Sequence, residues 1–387
     1  MRLSAKLIGK PFIASIDYKG NRANKSECAY IVKNYLVPRG YGVYILDSTF
    51  PEEYVRNLAS YFPDASILYG LESCSIFHDY DIIDVSETGI IRFLYSDCAG
   101  DTVLFITNKC NSNCIMCPDS DSNRKRDVGY RKQYLEKLID LLPSDISHIT
   151  ITGGEPTLLK WDFLDILSKC KDKFEDTSFL MLSNGRSFSD KEYCGAFLKV
   201  VPSVFRIGVP IYADNHVMHD AITRAPGSFN QTVLALSRLQ NIIETEIRVV
   251  VMRNTYRELP NIARFLTKNL PHIYTVSLMG MEILGNAAIN RGELWIDFAE
   301  TVPYIEEAVE ILLSSGIEAK IYNYPLCSLP RTLWSIAAKS ITDYKVIYQP
   351  ECELCEIKSL CGGFFSSTMH AEKIPVYPIK EKNVDKK

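Results

Sequence analysis

From about residue 102 the sequence settles into an alternation that few folds can satisfy. Short apolar runs of strand length recur, each followed by an amphipathic stretch of helical period. Strands are predicted at Val103–Thr107, His148–Thr152, Ser178–Leu182, Ser203–Val209, Glu246–Met252 and Tyr274–Leu278. Helices are predicted near Tyr130–Leu142, Trp161–Lys171, Lys191–Val200, Ser228–Leu239, Arg257–Lys268 and Ile296–Ser314. Six βα units in series require parallel strands with helices outside them, and right-handed crossovers curl such a series into a partial barrel. The expected fold class is therefore α/β, a partial (β/α)6 TIM-type barrel over residues 101–315. Chemistry in such barrels sits at the carboxyl ends of the strands.

The flanks read differently. Residues 1–100 suit a mixed α+β domain, with strand candidates at Tyr41–Leu46 and Gly89–Tyr95 and a helical period over Glu52–Phe62. A role in docking a peptide is one expectation for this part. After 316 the regularity stops: Gly316, Pro325, Pro330 and Pro350 punctuate a small cysteine-rich extension, 316–379. Residues 380–387 form a charged tail of disordered composition. A net charge of −4 over 387 residues gives no argument for a nucleic-acid surface. The basic run Arg124, Lys125, Arg126, Arg131 and Lys132 reads as a solvated loop and helix start. No apolar stretch approaches the roughly 18 residues that span a bilayer, and MRLSAKLIGKPF lacks the apolar core and cleavage site of a signal peptide. The expectation is a cytoplasmic protein without a membrane partner. Twelve cysteines in that compartment point to metal binding rather than disulfides.

Three of them, Cys110, Cys114 and Cys117, form C-x3-C-x2-C directly after the first predicted strand. Three thiolates can hold three irons of a four-iron cluster and leave the fourth iron open to a small molecule. A zinc site completed by a distant fourth ligand is the competing reading. The second strand ends in Thr152-Gly153-Gly154-Glu155-Pro156, where paired glycines let a ligand approach backbone N–H and C=O groups. The third ends in Ser183-Asn184-Gly185, whose polar groups suit a ribose or, equally, the cap of a helix.

Together, these three motifs resemble the radical S-adenosylmethionine (SAM) superfamily, and HDAITRAPGSFNQTV within Val209–Val233 resembles its peptide-modifying members. The resemblance covers about 102–290 and implies that Cys110, Cys114 and Cys117 ligate a [4Fe-4S] cluster whose open iron chelates SAM. It implies that Gly153, Gly154 and Glu155 contact the methionine moiety and that Ser183 and Asn184 lie near the ribose. Arg224 becomes a candidate partner for the SAM carboxylate, in a planar pairing. Reductive cleavage of SAM then yields a 5′-deoxyadenosyl radical that takes hydrogen from a substrate. One departure stands out: where many relatives carry Ser-Leu-Asp-Gly after the fourth strand, this chain reads Gly208-Val209-Pro210-Ile211. Asp214 and Glu282 are weak candidates for a proton-accepting carboxylate.

A second group, Cys352, Cys355 and Cys361, with Cys327 upstream, resembles the SPASM/twitch extension of peptide maturases. Because no cysteine follows Cys361, one auxiliary [4Fe-4S] cluster fits, with Cys327 as the expected fourth ligand. Zinc also accepts four cysteines. The stretch PLCSLP…SITDYKVIYQPECELCEIKSLCGGFFSS resembles the His-Xaa-Ser system radical SAM maturases, HxsC type. That resemblance implies a ribosomally made precursor peptide, a paired radical SAM maturase and an electron donor such as flavodoxin or ferredoxin as partners. Epimerisation of the peptide and a non-catalytic iron–sulfur or zinc scaffold remain as alternatives. Cys28, Cys74 and Cys98 read as structural, and Cys170 and Cys194 as core.

Overall fold

The computed structural model describes residues 3–98, 102–125, 131–341 and 345–380. Arg126, Tyr130 and the tail 381–387 lie outside the described residues. The chain divides into two compact units. The first takes residues 1–104 with 130–150 and 166–178; the second takes 105–129, 151–165 and 179–387.

In the first unit an eight-stranded mixed sheet runs in the order Leu3–Ser4, Ile90–Tyr95, Ile82–Val85, Phe12–Asp17, Cys28–Ile31, Val43–Asp47, Ser66–Leu71, Lys6–Ile8. Its middle strands pair in parallel and its outer strands antiparallel. The strand Val43–Asp47 is buried on both faces, which explains its unbroken apolar sequence Val-Tyr-Ile-Leu. The helix Glu52–Tyr61 buries Val55 and Leu58, the apolar stripe that its period announces.

A second sheet follows chain order without exception: Thr102–Phe105, His148–Thr152, Ser178–Leu182, Phe205–Pro210, Glu244–Val251, Thr275–Gly280, Glu318–Tyr322, Ala337–Ala338. The registered pairs from Ser178–Leu182 onward are all parallel. Helices at Lys191–Val200, Ser228–Leu239, Leu259–Asn269 and Phe298–Ser314 make the crossovers. The parallel α/β arrangement agrees with the alternation of the sequence. The strand count does not: Glu318–Tyr322 and Ala337–Ala338 add to the same sheet beyond residue 315. Ala337–Ala338 is only two residues long, and Glu318 and Lys320 interrupt the apolar pattern of Glu318–Tyr322. The extension that follows is built of 3-10 turns, a two-stranded pair of Val346–Ile347 with Phe364–Phe365, and the helix Ser366–Ala371. Thr368 Oγ1 donates to the Met281 carbonyl (3.3 Å) and accepts from the Ile283 amide (3.2 Å), which ties this helix to the end of Thr275–Gly280. Among the described residues no helix is long and apolar enough to cross a membrane.

Candidate active site

The cysteine loop leaves Thr102–Phe105 and is zipped at once to the second strand's end. Ile106 N donates to Thr152 O (2.8 Å), Gly154 N to Thr107 O (2.6 Å) and Glu155 N to Lys109 O (2.8 Å). A Cβ on Gly153 would stand 2.3 Å from Thr107 O, and one on Gly154 2.2 Å from Lys109 O. The glycine pair therefore lets two backbones touch. The expectation that its N–H groups face a ligand needs correction at Gly154 and Glu155, whose amides are taken by the cysteine loop.

Glu155 is fully buried. Its carboxylate accepts from Thr157 N (3.0 Å), Thr157 Oγ1 (2.6 Å), Ser183 Oγ (2.8 Å) and Asn184 N (2.7 Å). Burial pushes its carboxyl above the ordinary range while the Thr157, Asn184 and Ser183 donors pull against that shift. Ser183 is buried too, and its hydroxyl also accepts from Gly185 N (3.0 Å). Glu155 and Ser183 thus join the ends of two neighbouring strands, which is a positioning role in the protein itself. Asn184 turns to the loop: its amide donates to Asn111 Oδ1 (2.6 Å) and comes within 4.0 Å of Cys110 Sγ.

The rest of the loop is held from far along the chain. Asn113 N and Ile115 N donate to the Thr223 and Ile222 carbonyls (2.9 and 3.0 Å). Asn286 Nδ2 donates to Asn113 Oδ1 (2.9 Å) and Cys114 O (3.0 Å), Asn286 N to Cys117 O (2.9 Å), and Asn290 Nδ2 to Ile115 O (2.8 Å). Gly285 makes room, since a Cβ there would lie 2.3 Å from Pro118 O. Arg186 Nη1 donates to Asn111 O (2.5 Å) and Ser112 Oγ (3.2 Å). Arg124 donates to Ser112 O (3.0 Å) and Asn113 Oδ1 (2.7 Å). The solvated reading of the basic run therefore fails at Arg124. Sequence reasoning also missed Arg186, Asn286 and Asn290, which carry no motif and act only through the folded chain.

Cys110, Cys114 and Cys117 are part-buried neighbours. Burial raises all three thiols, Cys114 to about 12, and the proximity of the other thiols adds to the shift at Cys114. Ser112 N donates to Cys110 Sγ (3.4 Å). Beside Cys110 an open cleft of ≈ 580 Å³ is lined by Lys109, Arg124, Lys125 and Arg224. Arg224 is exposed and left-handed (φ 49°) at the end of helix His216–Thr223. Within HDAITRAPGSF, Asp220 caps the helix Ser228–Leu239, accepting from Gly227 N (2.6 Å), Phe229 N (2.8 Å) and Ser228 Oγ (2.8 Å). His219 is buried, which lowers its pKa to about 4, and its Nδ1 accepts from Tyr212 N (3.3 Å). Asp214 accepts from the Asn215 side chain (2.8 Å) and Glu282 pairs with Lys345 (3.3 Å).

In the extension, Cys327, Cys352, Cys355 and Cys361 line one pocket. Leu326 N and Gly363 N donate to Cys361 Sγ, and Ile379 N to Cys355 Sγ, each at 3.4 Å. Cys28, Cys74, Cys170 and Cys194 are buried, whereas Cys98, expected as structural, is exposed. Among the described residues no three His, Cys, Asp or Glu side chains could hold a metal ion. A single zinc needs every thiolate about 2.3 Å from one point. A four-iron cluster takes one thiolate per iron, so its sulfurs stand wider apart. The loop's donor set, three thiols with amide donors to sulfur, fits such a cluster.

Residues 104–266 match the model of the Radical SAM superfamily, so the chain carries a radical SAM superfamily domain, of a family that works with a [4Fe-4S] cluster and SAM. A putative glycyl-radical enzyme activating enzyme of Methanocaldococcus jannaschii is 34% identical over 85 residues, 20% of this chain and 22% of that protein. The sporulation killing factor maturation protein SkfB of Bacillus subtilis is 26% identical over 149 residues, 38% of this chain and 34% of that protein. The matches thus span about a fifth and a third of these relatives' lengths. The crystal structure of Streptococcus suis SuiB bound to the precursor peptide SuiA is similar with a TM-score of 0.44 and 12% identity, over 57% of this chain and 48% of that one.

Proposed function

We propose that this chain is a radical SAM maturase that takes hydrogen from a ribosomally made precursor peptide. The observation that carries the proposal is the loop of Cys110, Cys114 and Cys117, fixed by backbone bonds to Gly154, Glu155, Ile222 and Thr223 next to an open cleft. The strand order supports a partial barrel with this loop at its carboxyl end. Bound there, the cluster and SAM would supply a hydrogen-abstracting radical. The residues around them have simpler duties. The backbone of Gly153 and Gly154 would border the methionine site, Ser183 and Asn184 would lie near the ribose, and Arg224 would pair with the SAM carboxylate. Cys327, Cys352, Cys355 and Cys361 ligate one auxiliary [4Fe-4S] cluster. The maturation-protein relative supports a peptide substrate, and the C-terminal motif supports one of His-Xaa-Ser type, handled with a paired maturase in the cytoplasm and an electron donor such as flavodoxin or ferredoxin.

Anaerobic reconstitution followed by dithionite and SAM tests the reaction class. The full chain is expected to release 5′-deoxyadenosine, and Cys114→Ala is expected to release none above background. Wild-type protein that binds iron and yields no 5′-deoxyadenosine would leave the scaffold alternative standing. For the second site, Cys327→Ala should lose or convert the auxiliary cluster in Mössbauer spectra while the loop cluster remains. Unchanged auxiliary signals would remove Cys327 from the ligand set.

A further inference from the structure

Arg124 differs from the other cations of the cleft. Lys125 is exposed and pairs with Asp121 (2.7 Å), and Arg224 is exposed. Arg124 is half-buried and folded along the cysteine loop, with Nη1 on Ser112 O and Nη2 on Asn113 Oδ1. Its Nε is buried and has no hydrogen-bond partner among the described residues. A buried, unpaired N–H on a cation is a cost that a nearby anion lessens. The two partners of Arg124, Ser112 and Asn113, lie between Cys110 and Cys114 in the loop, and a third, longer bond runs from Nη2 to Asp119 O (3.5 Å), two residues past Cys117. Arg186 holds the same loop, yet its bonds go to Asn111 O, Ser112 Oγ and Gln231 Oε1.

We propose that Arg124 is a positioning residue that sets how readily the loop cluster accepts its electron. This rests on the cluster assignment above. Reduction adds one negative charge to a cluster already ligated by three thiolates. A fixed cation within a partly desolvated loop stabilises the reduced state more than the oxidised one, so it raises the potential. Charge near the cluster and hydrogen bonding to its sulfurs are two of the protein's means of tuning such centres. Arg124 supplies the first directly. It supplies the second indirectly, by fixing Ser112, whose amide donates to Cys110 Sγ.

Redox titration of the reconstituted full chain with dithionite, followed by electron paramagnetic resonance, tests this. Wild type is compared with Arg124→Gln and Arg124→Lys. Arg124→Gln is expected to make reduction of the loop cluster at least about tenfold less favourable, a midpoint lower by about 59 mV for one electron. Arg124→Lys keeps the charge and should stay closer to wild type than the glutamine variant. The auxiliary cluster is the internal reference and should not move. Equal midpoints in all three proteins, or equal shifts in the lysine and glutamine variants, would overturn the role of charge. If Arg124→Gln retains no loop iron, retention in Arg124→Lys supports the proposal, and loss in both overturns it in favour of a purely structural bond. A wild-type loop without iron would instead remove the functional reading itself.

Discussion

Gly154→Ala is expected to displace the cysteine loop and abolish its iron uptake while the chain stays folded. The added Cβ would lie 2.2 Å from Lys109 O, 2.6 Å from Lys109 C and 2.7 Å from Asn108 O. Carbon–oxygen contacts of this kind ordinarily sit at about 3.3 Å or more. All three obstacles are backbone, so no side chain can swing aside. The loop entry and the strand end must part by roughly 1 Å. That movement breaks the bonds from Gly154 N to Thr107 O and from Glu155 N to Lys109 O. Overpacking and two lost bonds together cost roughly 2–5 kcal/mol. Iron per chain after anaerobic reconstitution, read beside far-ultraviolet circular dichroism, checks the expectation. Wild-type iron in the alanine variant would show that the close approach is dispensable.

Glu155→Ala is expected to destabilise the protein strongly. Thr157 N, Ser183 Oγ and Asn184 N lose their acceptor at once, while Thr157 Oγ1 keeps a second one, Ser187 Oγ (2.8 Å). Each buried donor left unpaired costs about 1–3 kcal/mol, and the terms do not simply add. A total of roughly 4 kcal/mol is a large part of the 5–15 kcal/mol that holds an ordinary domain. Glu155→Gln should fall between, because one oxygen remains while the new amide opposes a donor. Denaturant midpoints of the metal-free proteins measure the series. A midpoint unchanged in the alanine variant would mean that the carboxylate does not join the two strands.

Both residues stand in a motif that the sequence displays, yet the motif invites a different account of them. Gly-Gly-Glu after a strand reads as a ligand-facing turn, because glycine permits close approach by whatever comes near. What comes near is the chain's own loop, and nothing in a linear pattern distinguishes backbone from ligand. The strands were legible because buried apolar side chains recur at alternate positions, as in Ile247, Val249 and Val251. Glu318–Tyr322 was not, since Glu318 and Lys320 are partly exposed and break the run. Spacing singled out Cys352, Cys355 and Cys361 in the extension, and Cys327 lines the same pocket. Asn286 and Asn290 were not legible, since an asparagine after a strand signals a turn or cap as readily as a clamp. Arg124 misled for a related reason: a charge run describes composition, whereas burial of one guanidinium depends on the loop that folds over it.

Asn286 also fixes a moment in the life of the chain. It bonds Asn113, Cys114 and Cys117, and 169 positions (286 − 117) separate it from Cys117. At roughly 5–20 residues per second, a ribosome adds that length in about 8–34 s. Through that interval the three thiols have left the synthesis site while their clamp does not yet exist. The bonds from Asn286 form only after the sixth strand of the second sheet has been made, so the clamp on the cysteine loop is completed late in synthesis.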